Sequence, residues 1–370
     1  MSLALYRKYR PKILSDLLGQ EINVQILQNA SRQNKFAHAY LFFGPRGTGK
    51  TTAARLVAKI VNCELRASDK KFHSQGEPCN KCHVCNEIDS GSALDVIEID
   101  AASNRGIDEM RNLKEATQTA PASYARKVFI IDEVHMLTGP AFNALLKTLE
   151  EPPEHVMFIL ATTEFDKLPA TITSRTQRFI FKKLNRQTIV QKLKSICKTE
   201  KIEFDEDALE LIAVASDGGL RDAESLLEQV HSHSPKLTSE TVERAIGRVG
   251  FKRLKDFSEL LALKDLSKAL VFLNELNDSG TNMVQFTKDL IHYLRRVLSL
   301  KMNPDLEELF RSDLTNDDIT ALKNIGTKNT PDFFIKLIKT LIRAYTDMRY
   351  SPFALVPLEV AIIESIKTSA

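Results

Sequence analysis

The eight residues Gly44-Pro45-Arg46-Gly47-Thr48-Gly49-Lys50-Thr51 have the types and spacing of a phosphate-binding loop. Glycine lets backbone N–H groups turn inward around phosphates, and a helix starting at the loop's end adds the positive end of its dipole. Lys50 has the reach to meet β and γ oxygens, and the Thr51 hydroxyl is a magnesium ligand. Gly44, Pro45, Arg46, Gly47, Thr48, Gly49, Lys50, Thr51 and Thr52 are therefore the expected nucleotide cradle. A pattern this short arises by chance in long chains, so its context decides. The apolar run Tyr40-Leu41-Phe42-Phe43 precedes it and the helix-like Thr52-Ala53-Ala54-Arg55-Leu56-Val57-Ala58-Lys59 follows it, in the order the chemistry needs. The pattern predicts a chain that binds a nucleoside triphosphate.

Val128-Phe129-Ile130-Ile131-Asp132-Glu133 is four apolar residues ending in two carboxylates, the form of a Walker B strand. Asp132 is placed to hold magnesium through water, and Glu133 to polarise the water that attacks the γ-phosphate. Phe158-Ile159-Leu160-Ala161-Thr162-Thr163 ends in two hydroxyls. Thr163 is the one expected to meet the γ-phosphate or the attacking water, whereas Thr162 is equally explained by strand propensity. Ser174-Arg175 closes a short helical stretch, from which Arg175 can project into a neighbouring subunit's site and stabilise charge on the transferred phosphoryl group. Arg221, in Gly218-Gly219-Leu220-Arg221-Asp222-Ala223, opens a helix and can reach the γ-phosphate of its own chain; its plainer reading is a surface pair with Asp222 or Glu224.

Cys79-Asn80-Lys81-Cys82-His83-Val84-Cys85 sets three thiols at C-x₂-C-x₂-C spacing, with Cys63 upstream across a polar loop. Four thiolates suit tetrahedral zinc and leave no position for catalytic water, and the same ligation suits an iron–sulfur cluster. His73 and His83 compete as ligands, although Cys82 and Cys85 already bracket His83. Cys197, in the apolar stretch Leu193-Lys194-Ser195-Ile196-Cys197, reads as core.

Short strands alternating with amphipathic helices must position these groups. Tyr40–Phe43, Val96–Ile99, Val128–Ile131, Val156–Ala161 and Phe179–Phe181 are the strand candidates, which predicts a parallel sheet covered by helices on both faces. Beyond Leu184 the strand signal vanishes. Residues 185–246 break into short helical stretches around Lys201–Asp207 and Asp217-Gly218-Gly219. From about Gly250, long helices at Met283–Met302, Asp332–Tyr345 and Leu355–Ile366 are expected. The expected domains are a nucleotide-binding core at 1–181 with a metal-binding insertion at 62–90, a small helical domain closing over the nucleotide site at 182–247 and an all-α domain at 248–370. At 370 residues, with 43% hydrophobic and 27% charged residues, the composition is that of a globular protein of two or three domains. A net charge of +3 means that any nucleic-acid contact must come from a local basic surface. The start has no apolar h-region and no run is long enough to span a bilayer, so a cytoplasmic location and no membrane partner are expected. The last helix runs almost to Ala370, and a C-terminal extension in the natural protein is expected.

Phosphate loop, Asp-Glu, Thr-Thr, Ser-Arg and Gly-Leu-Arg-Asp occur in the order of the AAA+ superfamily. The chain resembles more closely the bacterial DNA polymerase III gamma/tau family, the motor subunits of sliding-clamp loaders. The strings that carry the resemblance are Tyr9-Arg10-Pro11, Leu18-Gly19-Gln20-Glu21, His38-Ala39-Tyr40-Leu41-Phe42, Glu98-Ile99-Asp100-Ala101-Ala102-Ser103, Ile131-Asp132-Glu133-Val134-His135-Met136-Leu137 and Asn143-Ala144-Leu145-Leu146-Lys147-Thr148-Leu149-Glu150-Glu151-Pro152-Pro153. The resemblance runs over the whole chain, most strongly residues 1–240.

The resemblance implies an α/β AAA+ P-loop domain, a zinc-binding insertion, a lid and a collar. It implies ATP with Mg²⁺, adenine contacts from Arg10 and Pro11, and Zn²⁺ on Cys63, Cys79, Cys82 and Cys85. Cys63 is the least secure ligand, because the loop before Cys79 is longer than is usual in the family. The family reads Ser-Arg-Cys where this chain has Ser174-Arg175-Thr176, a change that keeps the arginine. Ser103–Asp108 matches the region lining the family's inner DNA spiral, which makes Asn104 and Arg105 candidate backbone contacts to primer–template DNA. Asn143 and Lys147, at i and i+4, are candidates for coupling DNA to the Walker B end. The implied function is an ATPase in a hetero-pentamer with delta, delta-prime and further copies of itself. That assembly loads the beta sliding clamp and meets the polymerase core through a C-terminal tail. No polymerase active site is apparent, so any polymerase filing would describe the holoenzyme. A nucleotide-binding replisome scaffold without turnover is the alternative, disfavoured by the intact Glu133 and Arg175. A branch-migration motor would lack the cysteine insertion and the collar.

Overall fold

The computed structural model describes residues 3–246, 250–311, 314 and 316–367. The boundary expected at 247/248 and the two chain ends, Met1 and Ala370, lie outside the described residues. The chain forms two compact units, one of residues 3–184 with 217–225 and one of residues 185–216 with the described residues from 226 onward.

The first unit is built on a five-stranded parallel sheet: β1 (Ala39–Phe43), β2 (Val96–Asp100), β3 (Lys127–Asp132), β4 (Val156–Thr162) and β5 (Gln177–Ile180), in the order β2-β3-β4-β1-β5. Side chains of a strand alternate between faces, and here each face has its own core. Tyr40, Phe42, Val128, Ile130, Met157 and Ile159 pack with Leu56, Val57 and Ile60 of helix Lys50–Asn62. Ala39, Leu41, Phe129, Ile131, Phe158 and Leu160 pack on the opposite side with Met110, Leu113, Phe142 and Leu145 of helices Ile107–Gln118 and Gly139–Glu150. Burial on both faces explains why β4 is apolar throughout until Thr162. In register, Phe43 lies beside Thr162 and Asp100 beside Asp132, so the strands deliver Gly44, Asp132 and Thr163 along one edge.

Three expectations need correction. β5 is Gln177–Ile180 rather than Phe179–Phe181. Only Phe179 of its residues is buried, so the strand carries little apolar signal at its start. The polar loop after Cys63 holds two short helices, Glu64–Ser68 and Lys70–Gln75. The strand signal does not vanish after Leu184 either, because Glu203–Phe204 pairs in parallel with Lys236–Leu237 in the second unit.

The second unit is otherwise helical. Helix Met283–Met302 buries Met283, Phe286, Leu290, Leu294, Val297 and Leu300 at intervals of three or four residues, against helix Pro331–Met348 with its buried Phe334, Leu337 and Leu341, and that helix in turn packs on Leu355–Lys367 with its buried Leu358 and Ile362. Cys197 is fully buried, and burial pushes its thiol pKa up to about 11. Among the described residues no helix is long and apolar enough to cross a membrane.

Candidate nucleotide site and cysteine centre

The phosphate loop begins where β1 ends. Gly44, Gly47 and Gly49 have φ of 144°, 75° and 99°, a region that disfavours side chains. A Cβ on Gly44 would also collide with the Phe181 carbonyl. Gly49 leads directly into helix Lys50–Asn62, so the first helical N–H groups point into the loop. The buried Lys50 donates from Nζ to the carbonyls of Gly44 and Pro45, both at 2.8 Å. Burial lowers its pKa, with Glu133 and then Asp132 opposing. Thr48 Oγ1 donates to the Pro45 carbonyl at 2.8 Å.

Thr51 Oγ1 donates to Asp132 Oδ2 at 2.7 Å, which places the two expected magnesium ligands side by side. Both are hard oxygen donors, the chemistry that Mg²⁺ requires. Glu133 follows with φ 47° and ψ 44°, a left-handed conformation rare for glutamate. That turn directs its side chain to the end of β4. Glu133 Oε2 accepts from Thr163 N at 3.2 Å and from Thr163 Oγ1 at 2.9 Å. His135 lies beside the same oxygen at 3.4 Å.

On the N-terminal side, Arg10 is half-buried. Its pKa is lowered by burial first and then by Arg55, with Glu98 opposing and Arg221 and Arg7 adding to the lowering. Arg55 pairs with Glu98 at 2.5 Å. Arg221 stacks its guanidinium 4.9 Å from the Tyr6 ring centroid, and Leu220 N donates to the Gly47 carbonyl at 3.1 Å. Arg10, Arg55 and Arg221 thus gather near the phosphate loop, while Pro11 follows Arg10 at partial exposure.

Five expected residues stand apart from this group. Arg175 pairs with Glu150 at 2.7 Å and donates to the Thr171 carbonyl at 2.9 Å. Asn104 donates to the Asp100 carbonyl at 3.0 Å and Arg105 is exposed. The helix that follows them carries Asp108 and Glu109 in its first turn, which oppose an anion at that N-terminus. Asn143 and Lys147 are both exposed on helix Gly139–Glu150.

The ligand atoms of Cys63, Cys79, Cys82 and Cys85 lie within 4.8 Å of one another, all four residues buried. A tetrahedral zinc site with Zn–S near 2.3 Å needs sulfurs about 3.8 Å apart, and Cys79 and Cys85 stand 3.9 Å apart. Backbone N–H groups of Lys81 and Cys82 point at Cys79 Sγ, and those of Arg66 and Cys79 at Cys63 Sγ, which favours thiolates. The hydrogen bond from Cys85 lowers the Cys63 pKa and raises that of Cys85. The long segment before Cys79 therefore still brings Cys63 to the other three. His83 is 77% exposed and pairs with Glu87 at 3.3 Å, outside the cluster.

Sequence reasoning missed the ties around these sites. The fully buried Lys59 donates to Asn80 Oδ1 at 2.6 Å and Asp89 Oδ1 at 2.8 Å, joining the phosphate-loop helix to the cysteine module. Glu77 accepts from Leu14 N at 2.7 Å, Ser15 N at 3.0 Å and Gln28 Nε2 at 2.7 Å, joining that module to the segment after Pro11. A lysine interrupting the apolar run Leu56–Val61 was the available signal for the first; Glu77 offered none.

A family model described as the DNA polymerase III delta subunit matches residues 19–185. Models described as the DNA polymerase III clamp loader subunit ATPase lid domain and as domain III of DNA polymerase III subunits gamma and tau match 188–234 and 237–370. DNA polymerase III subunit tau of Bacillus subtilis is 44% identical over 369 residues, 99% of this chain and 63% of that protein, so the chain spans less than two thirds of that relative. DNA polymerase III subunit gamma of Buchnera aphidicola subsp. Schizaphis graminum is 35% identical over 98% of this chain and 97% of its own length. Among solved structures, the Thermotoga maritima RuvB Holliday junction branch migration motor is 19% identical with a TM-score of 0.45, over 73% of this chain and 84% of that one. At 35% identity to a relative whose length it covers to 97%, the chain belongs to the DNA polymerase III gamma and tau subunit family.

Proposed function

We propose that this chain binds and hydrolyses ATP as the motor subunit of a clamp loader in the DNA polymerase III holoenzyme. The loop Gly44–Gly49 and Lys50 hold the phosphates, Thr52 supports the loop from the helix start, and Arg10 and Pro11 lie toward the adenine. Thr51 and Asp132 would hold Mg²⁺, which when bound neutralises charge on the β and γ oxygens. Glu133 orients the attacking water and takes its proton, and Thr163 meets the γ-phosphate. Arg221 serves the chain's own site and Arg175 that of a neighbour. Cys63, Cys79, Cys82 and Cys85 would hold a structural zinc that cross-links the insertion.

Residues 1–181, 182–247 and 248–370 act as core, lid and collar in this reading. The partners are delta, delta-prime, further copies of this chain, the beta clamp and primer–template DNA, with the polymerase core reached through a C-terminal tail, all in the bacterial cytoplasm. Asn104 and Arg105 contact the DNA backbone, so binding is salt-dependent and largely independent of sequence.

The observation that carries the reading is the convergence of Thr51 on Asp132 and of Thr163 on Glu133 beside the phosphate loop. Glu133→Gln is expected to cut steady-state hydrolysis about a hundredfold or more while retaining nucleotide binding. Turnover unchanged by that substitution would refute the assignment. A wild-type chain inert with clamp and primed DNA would favour the scaffold.

A further inference from the structure

His135 is only 6% exposed at its side chain and touches three groups that the proposed reaction uses or adjoins. It sits in the short 3₁₀ turn Val134–Met136, immediately after Glu133. Its Nδ1 is 2.9 Å from Thr162 Oγ1 and 3.4 Å from Glu133 Oε2, and its Nε2 is 3.3 Å from Glu164 Oε1. Thr162 is fully buried, and its hydroxyl also accepts from Glu164 N at 3.0 Å. Lys167 pairs with the other oxygen of Glu164 at 2.9 Å. One imidazole therefore ties the end of β3 to the end of β4.

The Thr163 hydroxyl has a single proton to give, and here it gives it to Glu133 Oε2. If Thr163 turns that proton to the γ-phosphate, Glu133 loses its strongest side-chain donor. The contacts left on that oxygen are the Thr163 amide and His135. An ionised carboxylate only accepts hydrogen bonds, so Glu133 favours a proton on Nδ1 and Glu164 one on Nε2, and the Nδ1–H form is the one that can steady Glu133. Nδ1–H then lies between Thr162 and Glu133, with both hydroxyl lone pairs of Thr162 in use.

We infer that His135 is a positioning residue: it keeps Glu133 aimed at the attacking water while Thr163 engages the phosphate. The inference rests on the reading of Glu133 as the group that activates water. It adds to that reading a reason why an imidazole stands two residues after the carboxylate.

The test is single-turnover hydrolysis by the full chain assembled with its partner subunits, beside nucleotide affinity measured with a non-hydrolysable ATP analogue. His135→Leu is expected to slow the chemical step about tenfold to a hundredfold, with nucleotide affinity nearly unchanged. His135→Asn keeps an amide donor near the Nδ1 position and is expected to recover most of the rate. In a Glu133→Gln background, adding His135→Leu is expected to do nothing further. A wild-type rate in His135→Leu, or the same proportional loss in the Glu133→Gln background, would overturn the inference. So would a loss that follows the melting temperature and is not rescued by asparagine. Glu133→Gln turning over at the wild-type rate would sink the base assignment itself, whereas an inactive Glu133→Gln beside an unaffected His135→Leu would sink only the role of His135.

Discussion

Arg175 is held on its own chain by Glu150 and the Thr171 carbonyl, at the end of the helix that begins just after the Walker B turn. A guanidinium so fixed keeps its fork geometry while remaining partly open to an incoming anion. If it acts on a neighbour's phosphate, its loss spares the chain's own nucleotide affinity and removes transition-state stabilisation elsewhere. Arg175→Ala is expected to lower hydrolysis and clamp loading by the assembled complex about a thousandfold at the dependent site. Binding of ATP to the mutated chain should be intact. Undiminished loading by a complex in which every copy carries the substitution would remove the trans role.

The helix Lys50–Asn62 is fixed at both ends, by the phosphate loop at its start and by Lys59 near its finish. The Lys59 contact is asymmetric, since the ammonium is fully buried while Asp89 is exposed. Removing the carboxylate leaves the buried ammonium only the neutral Asn80 oxygen, and removing the lysine strands nothing charged in the core. Asp89→Ala is therefore expected to cost on the order of 3 kcal/mol and Lys59→Met distinctly less, by chemical denaturation; the reverse order would show that the pair is not what stabilises this junction. The sheet that frames the helix was legible in sequence because strands buried on both faces must be apolar end to end, as Val156–Ala161 is. The phosphate loop and the four thiols were legible because their spacing is local. β5 was misplaced by two residues because an edge strand needs few apolar side chains. Lys59 showed only as a lysine inside an apolar run, and Glu77 and His135 did not show as connectors, since the partners of all three lie 21 to 63 residues away.

The first unit gathers two sites that would need different ions, hard oxygen donors at Thr51 and Asp132 and soft thiols at the cysteine cluster. The thiols hold together segments that are otherwise short helices and turns, so metal at that cluster is expected to contribute directly to folding. Zinc removal by a strong chelator at neutral pH should lower the melting temperature by roughly 5 °C or more, with restoration on adding zinc back. A melting curve indifferent to chelation would argue against a structural ion. The left-handed backbone at Glu133 bears on the history of the whole chain. Glycine or asparagine would relax that conformation, which holds on the order of 1 kcal/mol or more of strain, yet neither carries a carboxylate. If Glu133 activates water as proposed, selection for stability and selection for turnover pull this codon in opposite directions. A lineage released from the need to hydrolyse nucleotide would be expected to drift here early, gaining a firmer fold as it loses its engine.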